Sequence, residues 1–401
     1  MGNLKNYFEA YLNTTSIFSD KHVLQSNYFP TEVNHRNEQI TQVAKILAPA
    51  LRGEKPSNLF IYGKTGTGKT LCVKHTTSQM SKVASEKGIA LKVCYLNCKL
   101  KKIADTEYRL IAQLAREFGK AIPPTGLPTD EVYNTFFSAL DAEKQIVLLV
   151  LDEIDQLVKK AGDEIIYNLT RINSDLKNSQ VSIIGISNDL MFSNNLDPRV
   201  KSSLSEEELL FPPYNALQIQ EILKERADIA FKEGALQEGV IQKCAAYAAR
   251  EHGDARRALE LLRVAGELAE RSQQEQVTTE QIDSAEDKIE HDRVYELVKT
   301  QPKQHQLVLF SILNIKPENS QTQIYTGEVY DYYKGLCDQV SQRPLTQRRV
   351  SDVIQEMDML GIINANVISK GRFGRTREIS LAIHHSLKTK IMTTLKDEVF
   401  S

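Results

Sequence analysis

The feature that most constrains the fold of this chain is an eight-residue run, GKTGTGKT, at positions 63–70. The run fits the pattern G-x-x-x-x-G-K-[ST], follows the apolar segment Leu59–Tyr62 and opens the helix-forming stretch Thr70–Lys87. Glycines let such a loop turn tightly enough for its backbone N–H groups to surround a phosphate. A chance glycine-rich turn is the alternative interpretation. The strand before the run and the helix after it favour a phosphate-binding loop.

This loop supplies most of the residues predicted to bind a nucleotide. The ammonium group of Lys69 places a positive charge near the β- and γ-phosphates, and the hydroxyl of Thr70 is a ligand for Mg²⁺. The N-terminus of the following helix adds about half a positive charge facing the anion. The loop residues predicted to contact the nucleotide are Lys64, Thr65, Gly66, Thr67, Gly68, Lys69, Thr70 and Leu71.

A second, acidic element fits the same chemistry. The apolar run Ile146–Leu151 is followed at once by Asp152 and Glu153. At the carboxyl edge of a parallel sheet, Asp152 would hold Mg²⁺ and Glu153 would polarise the attacking water. A further apolar run leads to Asn188, whose amide would reach the γ-phosphate or the water, although an asparagine before a loop is also an ordinary turn residue. Asp155 is interpreted as a charge at a helix N-terminus.

The pattern of apolar residues predicts the fold class. Four short apolar runs alternate with amphipathic helical stretches, which favours βαβ units and an α/β domain with a parallel sheet. Beyond about residue 213 the strand signals vanish, and a helical domain is predicted. Three further helical patterns then precede two short β-prone runs, the order typical of a winged helix. The predicted domains are residues 1–212, 213–291 and 292–401, and the predicted strands are Leu59–Tyr62, Leu91–Leu96, Ile146–Leu151, Val181–Ile186, Ile362–Ile368 and Glu378–Ile383.

The third predicted domain concentrates positive charge. The chain has a formal net charge of −2, whereas Arg343–Arg377 carries a net charge of +4. The run Thr346–Ile354 favours a recognition helix, and the turn Ser369–Arg377 mixes cations with glycines that allow close approach to DNA. A winged helix that contacts protein is the alternative. The residues predicted to bind DNA are Thr346, Gln347, Arg348, Arg349, Lys370, Arg372, Arg375 and Arg377.

The cysteines and the hydropathy pattern argue against a zinc site, a membrane helix and a signal peptide. Cys94 and Cys98 are four residues apart, and no second Cys or His pair completes a zinc site, so buried or free thiols in a reducing cytoplasm are expected. No apolar run approaches the roughly 18 residues of a membrane helix, and no signal peptide is recognised at the N-terminus.

The order of these elements resembles that of the AAA+ ATPases. A phosphate loop, an Asp-Glu strand end and an asparagine are followed in the helical segment by Gly253-Asp254-Ala255-Arg256. The resemblance implies a P-loop AAA+ parallel sheet with helices on both faces, an all-helical lid domain and a winged-helix domain. It also implies that Arg256 reaches from the lid to the γ-phosphate. A surface arginine beside Arg257 is the alternative.

A closer resemblance is to the archaeal replication initiators, relatives of the eukaryotic origin-recognition complex large subunit and of its helicase-loading partner. It rests on the segments at 24–36, 61–70, 196–204, 211–227, 253–270 and 369–381. The resemblance implies a cytoplasmic, nucleoid-associated protein that binds double-stranded origin DNA in an ATP- or ADP-bound state. It further implies that the protein helps to recruit the MCM helicase and that further copies or paralogues assemble with it on DNA.

The initiator resemblance carries over to individual residues. Tyr214 and Arg226 match the nucleotide-contacting tyrosine and arginine of the family, although without it they would be interpreted as a packing residue and a solvated charge. Tyr28, Pro30 and Arg36 match the segment that lines the base pocket.

One segment departs from the pattern of AAA+ proteins that hydrolyse ATP at subunit interfaces. Those proteins continue with Arg-Phe where this chain has Ser203-Leu204, so a slow ATPase acting as a switch is expected, with Arg199 or Lys201 as the remaining candidates for a finger in trans. The segment Gly119–Asp130 resembles an initiator-specific insertion that touches the minor groove, with two prolines and Leu127 as an apolar wedge. An ordinary loop is the alternative.

Two other classes join a P-loop to helical domains. A signalling ATPase or transcription regulator would usually carry a long repeat-based region after the winged helix, and here the sequence given ends about twenty residues past the predicted wing. A clamp-loader subunit would carry an arginine-finger motif and a helical collar in place of a basic wing.

Overall fold

The computed structural model describes residues 16–99, 106–123, 125–204, 206–315, 324–369, 375–382 and 385–400. The chain forms two compact units, which divide between Ile282 and Asp283. The first unit therefore contains both the predicted α/β segment and most of the predicted helical segment. The predicted boundary at 291 falls inside a continuous helix, Thr279–Lys299, and the exact domain bounds remain predictions.

A five-stranded parallel sheet forms the centre of the first unit. Its order is β2-β3-β4-β1-β5, and β3 is buried along its whole length. The four strands predicted from apolar runs are confirmed, whereas β5 was missed. It carries two exposed glutamates at a sheet edge, so it lacks the apolar pattern of the inner strands. The strands are β1 (Leu59–Tyr62), β2 (Leu91–Asn97), β3 (Ile146–Asp152), β4 (Gln180–Ser187) and β5 (Glu207–Leu210).

Helices cover both faces of this sheet, as predicted. Alternate residues of β3 face two different hydrophobic cores: Val147 and Leu149 belong to one, and Leu148 and Val150 to the other. The helices of this part are α1 (Asn37–Leu47), α2 (Lys69–Lys87), α3 (Glu107–Glu117), α4 (Thr129–Leu140), α5 (Ile154–Ala161), α6 (Glu164–Arg171) and α7 (Pro198–Leu204), with 3₁₀ turns at Lys21–Leu24, Ala48–Arg52, Ile172–Ser174 and Phe192–Asn195.

The helical lid follows β5, and its described residues form helices and add no strand to the sheet. Its first helix begins at a capping box, in which Asn215 accepts from the backbone of Gln218 and the Gln218 side chain accepts from the backbone of Asn215. The last helix continues into the second unit. The helices are α8 (Ala216–Ala230), α9 (Val240–Arg250), α10 (Ala255–Arg271) and α11 (Thr279–Lys299).

The second unit is a winged helix with a small antiparallel sheet of order β6-β8-β7. Strand β8 begins at Arg375, which pairs with Ser369, so the predicted turn Ser369–Arg377 is shorter than expected because its ends join the ladder. The elements are α12 (Lys303–Asn314), β6 (Ile324–Tyr325), α13 (Thr326–Gln339), α14 (Gln347–Met359), β7 (Ile363–Ser369), β8 (Arg375–Leu381) and α15 (His385–Phe400).

The structure bears on two expectations from the sequence, one about the cysteine thiols and one about membrane helices. All five cysteines are buried, and burial raises the pKa of Cys72 and of Cys98 to about 12. Among the described residues, no helix combines the length and the apolar character that a membrane span requires.

The buried central strand generates a stability prediction. We expect Leu148→Ala to lower the free energy of unfolding by about 2 to 5 kcal/mol, because Leu148 is fully buried and its loss leaves a cavity. A urea titration followed by circular dichroism measures the change. Leu217→Ala is the matched control, because Leu217 is 70% exposed, and an equal loss in both variants would contradict the prediction.

Candidate functional site

The phosphate loop connects β1 to α2, and two of its glycines are constrained by the lid. Gly66 and Gly68 have φ angles of +68° and +87°, which favour glycine. A Cβ atom at Gly66 would collide with the carboxylate of Asp254, and one at Gly68 would lie 2.7 Å from the hydroxyl of Tyr214. Both positions therefore require glycine for backbone conformation and for space.

Lys69 is held inside this loop. Lys69 is 5% exposed, and its ammonium group donates hydrogen bonds to the carbonyl oxygens of Gly63 at 2.8 Å and Lys64 at 2.7 Å. The pKa of Lys69 is lowered to about 8, mainly by burial; Asp152 acts to raise it and the nearby Arg256 acts to lower it. The loop thus holds a buried cation that an additional anion would stabilise.

Asp152 forms the acidic end of β3. It is 4% exposed, and its Oδ2 accepts a hydrogen bond from Thr70 Oγ1 at 2.9 Å and another from the phenol of Tyr95. Its Oδ1 accepts from the backbone N–H of Glu153 at 3.0 Å. A hydroxyl and a carboxylate oxygen in contact form a donor set of the kind that Mg²⁺ prefers, so the predicted ligands Thr70 and Asp152 fit that ion.

Glu153 occupies a strained turn between β3 and α5. Its φ of +55° is left-handed, which costs about 1 kcal/mol or more for a residue with a side chain. The turn places its partly exposed carboxylate beside the strand end, with Lys99 Nζ 3.8 Å away. Because strained residues that are not glycine cluster at functional sites, this conformation supports the predicted role of Glu153 at the site.

Asn188 follows β4 at the same edge of the sheet. In the parallel register Ile186 of β4 lies beside Asp152 of β3, and Ser187 lies beside Tyr62, the residue that precedes the loop. Asp155 lies in the first turn of α5, as interpreted from the sequence, and its Oδ1 accepts a hydrogen bond from Ser187 at 3.1 Å. The strand ends therefore bring the separate polar predictions to one edge.

The lid places Arg256 against the loop. Asp254 caps α10 by accepting from the backbone N–H of Arg256 at 2.8 Å, and the N–H of Ala255 donates to the Gly66 carbonyl at 3.3 Å. Arg256 is therefore set beside the phosphate loop by the first turn of its helix. Its charge is close enough to Lys69 to lower the pKa of that ammonium group.

A cavity of about 280 Å³ joins the loop, the lid and the segment before α1. Two of the lid residues that line it were predicted only through the family resemblance. Tyr214 is 5% exposed, and burial raises its pKa; Arg226 stacks on the Tyr28 ring at 4.4 Å, and burial lowers its pKa. The predicted residues that line the cavity are Tyr28, Pro30, Gly66, Gly68, Thr70, Leu71, Tyr214, Arg226 and Arg256.

Arg36 lies under the Tyr214 ring. Its guanidinium carbon is 3.8 Å from the ring centroid, and its Nε donates to the Thr67 carbonyl at 2.9 Å while Nη2 donates to Pro212 at 2.5 Å. Arg36 is 3% exposed, so it supports the loop and Tyr214 from behind. Tyr214 therefore both packs against Arg36, as in the packing interpretation, and lines the cavity.

Sequence reasoning missed other residues of the site, of which Lys74 and Tyr95 are the clearest. Lys74 lines the cavity and stands one helical turn after Thr70, a spacing that could have identified it. Its ammonium nitrogen lies 4.0 Å from the ring centroid of Tyr95. Tyr95 lies on β2 next to Asp152's strand, and no sequence pattern marks it.

The structure shows the surroundings of two other predicted features of the first unit, Arg199 and the segment Gly119–Asp130. Arg199 is held by the neighbouring Asp197 through hydrogen bonds of 3.0 and 3.1 Å, and its side chain is 71% exposed. In the segment Gly119–Asp130, Leu127 packs against the hydrophobic core of the sheet. Leu127 is only partly buried there, so the wedge interpretation stays a prediction.

The recognition-helix prediction in the second unit agrees with the position of α14. Thr346 caps it by accepting from the backbone N–H of Arg349. Gln347 and Arg348 line a surface depression of about 400 Å³ between α14 and the wing strands. The N-terminal end of the helix is thus exposed, as a groove-binding helix requires.

Other predicted DNA-binding residues are engaged within the second unit. Arg349 lies 3.7 Å from both Asp352 and Glu356, and Arg377 donates to Gln355 at 2.8 Å. Arg375 begins β8, but its side chain is not among those described, and Lys370 and Arg372 lie outside the described residues.

The fold and site define an AAA-type P-loop ATPase with a helical lid and a winged-helix domain. Family models match three parts of the chain: an AAA domain at 52–190, a Cdc6 AAA+ ATPase-type lid domain at 220–287 and a CDC6 C-terminal winged helix domain at 296–389. Two relatives named ORC1-type DNA replication protein, from Thermococcus onnurineus and Methanosarcina acetivorans, are each 53% identical over 95% of this chain and cover 92% and 91% of their own lengths.

The chain belongs to the family of ORC1-type DNA replication proteins. The structure of the Aeropyrum pernix ORC1 protein in complex with DNA matches it with a TM-score of 0.82 and 45% identity, over 95% of this chain and 97% of that one. The resemblance to replication initiators is confirmed.

The buried lysine predicts proton uptake on nucleotide binding. Because the pKa of Lys69 is about 8 in the free protein and phosphate raises it, binding keeps the ammonium group protonated above that pH. We expect nucleotide affinity to be constant below pH 8 and to fall up to about tenfold per pH unit above it. Calorimetry in buffers of different ionisation enthalpy measures the uptake, and its absence at pH 9 would contradict the prediction.

Proposed function

We propose that this protein is a DNA replication initiator that binds origin DNA under the control of bound ATP or ADP and helps to recruit the MCM helicase. The observation that carries the nucleotide control is the seating of the lid on the phosphate loop, where Asp254 and Ala255 contact Gly66. A change at the phosphates is therefore transmitted to α10, the helix that carries Arg256. Membership of the ORC1-type family supports the place of action, the cytoplasm at the nucleoid.

The roles proposed at the nucleotide site follow from the geometry. Lys69 neutralises phosphate charge from inside the loop, and Thr70 with Asp152 holds Mg²⁺, which supplies charge neutralisation at the phosphates when it is bound. Glu153 accepts a proton from the attacking water, and Asn188 orients that water or the γ-phosphate. Arg256 stabilises charge at the γ-phosphate from the lid.

Slow turnover suits a switch. An arginine supplied at the transition state is worth about 10³- to 10⁵-fold in rate in related phosphoryl-transfer enzymes. Here Ser203-Leu204 replaces the usual Arg-Phe pair, and Arg199 forms hydrogen bonds with Asp197. Hydrolysis by a single copy is therefore proposed to be slow, with the ATP- and ADP-bound states long-lived.

Replacing the proposed base separates binding from hydrolysis. We expect Glu153→Gln to retain nucleotide affinity and to reduce ATP turnover by about 10²- to 10⁴-fold, because the amide cannot accept the proton of water. Phosphate release and equilibrium binding are measured on the same preparation. Glu164→Gln is the control, since Glu164 is an exposed residue in the first turn of α6. Wild-type turnover in Glu153→Gln would identify another base.

DNA binding is proposed to use the exposed end of α14 and the predicted wing cations Lys370, Arg372 and Arg375. Arg348 lines the depression beside the wing strands, and Arg349 and Arg377 have acidic or amide partners there. These partners hold the two arginines in fixed positions. We propose that Arg348 makes the most direct contact with DNA among the described residues.

A salt titration tests that contact. We expect Arg348→Ala to weaken binding to duplex DNA and to make the log–log salt slope shallower by about 0.9, the value for one lost phosphate contact. Arg293→Ala is the control, because Arg293 is a 65% exposed arginine elsewhere in the same unit. Fluorescence anisotropy at several salt concentrations measures both, and an unchanged slope with unchanged affinity in Arg348→Ala would remove α14 from the interface.

A further inference from the structure

Tyr95 and Asp152 belong to neighbouring strands of the central sheet, and their side chains meet at the nucleotide site. The phenol of Tyr95 donates a hydrogen bond to Oδ2 of Asp152, the oxygen that also accepts from Thr70. The parallel register places Asn97, two residues after Tyr95, beside Asp152. The phenol therefore reaches along β2 toward the strand end at which the proposed Mg²⁺ ligands lie.

The three donors to Asp152 have different roles. The hydroxyl of Thr70 is a proposed metal ligand, and the N–H of Glu153 holds the other carboxylate oxygen at 3.0 Å. Tyr95 alone of the three is a side chain with no proposed contact to the metal or the nucleotide. The hydroxyl of Tyr95 therefore acts on the site through Asp152, whereas its ring contacts Lys74.

The ring of Tyr95 is fixed in place from the helix side. The ammonium group of Lys74, on α2, lies 4.0 Å from the ring centroid, within the range of a cation–π interaction. The hydroxyl of Tyr95 is the donor in its hydrogen bond to the Asp152 carboxylate, because an ionised carboxylate can only accept. A fixed ring with a protonated hydroxyl is suited to hold a carboxylate in one orientation.

We propose that Tyr95 is a positioning residue of the nucleotide site, whose hydroxyl holds the Asp152 carboxylate in the orientation that the Mg²⁺–nucleotide complex requires. The inference rests on the proposed Mg²⁺ site at Thr70 and Asp152. Groups that orient a metal ligand typically change metal affinity or activity by about 10- to 100-fold when they are removed. Tyr95 therefore sets how strongly nucleotide binding depends on Mg²⁺.

The test uses the full chain and Tyr95→Phe, which keeps the ring and deletes only the hydroxyl. Binding of a fluorescent ATP analogue is titrated at a series of Mg²⁺ concentrations and in EDTA. We expect the Mg²⁺ concentration for half-maximal effect to rise about tenfold, at the lower end of that range. Affinity in EDTA stays within twofold of wild type, because Tyr95 does not touch the nucleotide.

Tyr133→Phe is the matched control. The hydroxyl of Tyr133 donates to Glu107 at 2.6 Å in the same unit, so this variant also loses a partly buried phenol–carboxylate hydrogen bond, but at a carboxylate with no proposed nucleotide role. We expect both variants to lose stability in thermal unfolding and only Tyr95→Phe to change the Mg²⁺ dependence.

The outcomes distinguish a failure of the Tyr95 role from a failure of the proposed Mg²⁺ site. Wild-type Mg²⁺ dependence in Tyr95→Phe, or an equal shift in Tyr133→Phe, would overturn the positioning role while the metal site stands. A wild-type protein whose nucleotide affinity does not respond to Mg²⁺ would overturn the metal site itself, and the inference with it.

Discussion

The lid of this protein rests on the glycines of its own phosphate loop. Gly66 leaves room for the carboxylate of Asp254, and Gly68 leaves room for the hydroxyl of Tyr214. The same two glycines thus let the backbone surround phosphate and let the lid approach the loop. Any larger side chain at either position would separate the two, since the contacts are at van der Waals limits.

Arg36 completes that arrangement from the opposite side. It bonds the Thr67 carbonyl of the loop and stacks on Tyr214, so one buried side chain connects the loop to the start of the lid. The chain before it continues along the lid, where Phe18 packs on Phe231 at 4.6 Å and Lys21 pairs with Glu267 at 2.6 Å. Loop, lid and this leading segment therefore form one coupled set of contacts, which is what a nucleotide-dependent switch needs.

Charge at the site is balanced locally in a chain of net charge −2. Lys69 and Arg256 oppose each other, and the nearby Asp152 and Asp254 favour the charged lysine. A bound nucleotide adds several negative charges to this set, so the cations gain partners and the pKa of Lys69 rises.

The sequence by itself determined the inner strands, the phosphate loop and the acidic strand end, because each is written in a local pattern of apolar residues, glycines and carboxylates. Family resemblance added Tyr214, Arg226 and Arg256, which cavity geometry then placed together. Only the tertiary structure decided the rest. Strand β5 is defined by the neighbour it pairs with, and Tyr95 reaches Asp152 through the register of two strands. Arg349 and Arg377 are held by Glu356 and Gln355 near the C-terminal end of α14. These contacts join positions far apart in the chain or depend on side-chain direction, and local sequence patterns do not encode either.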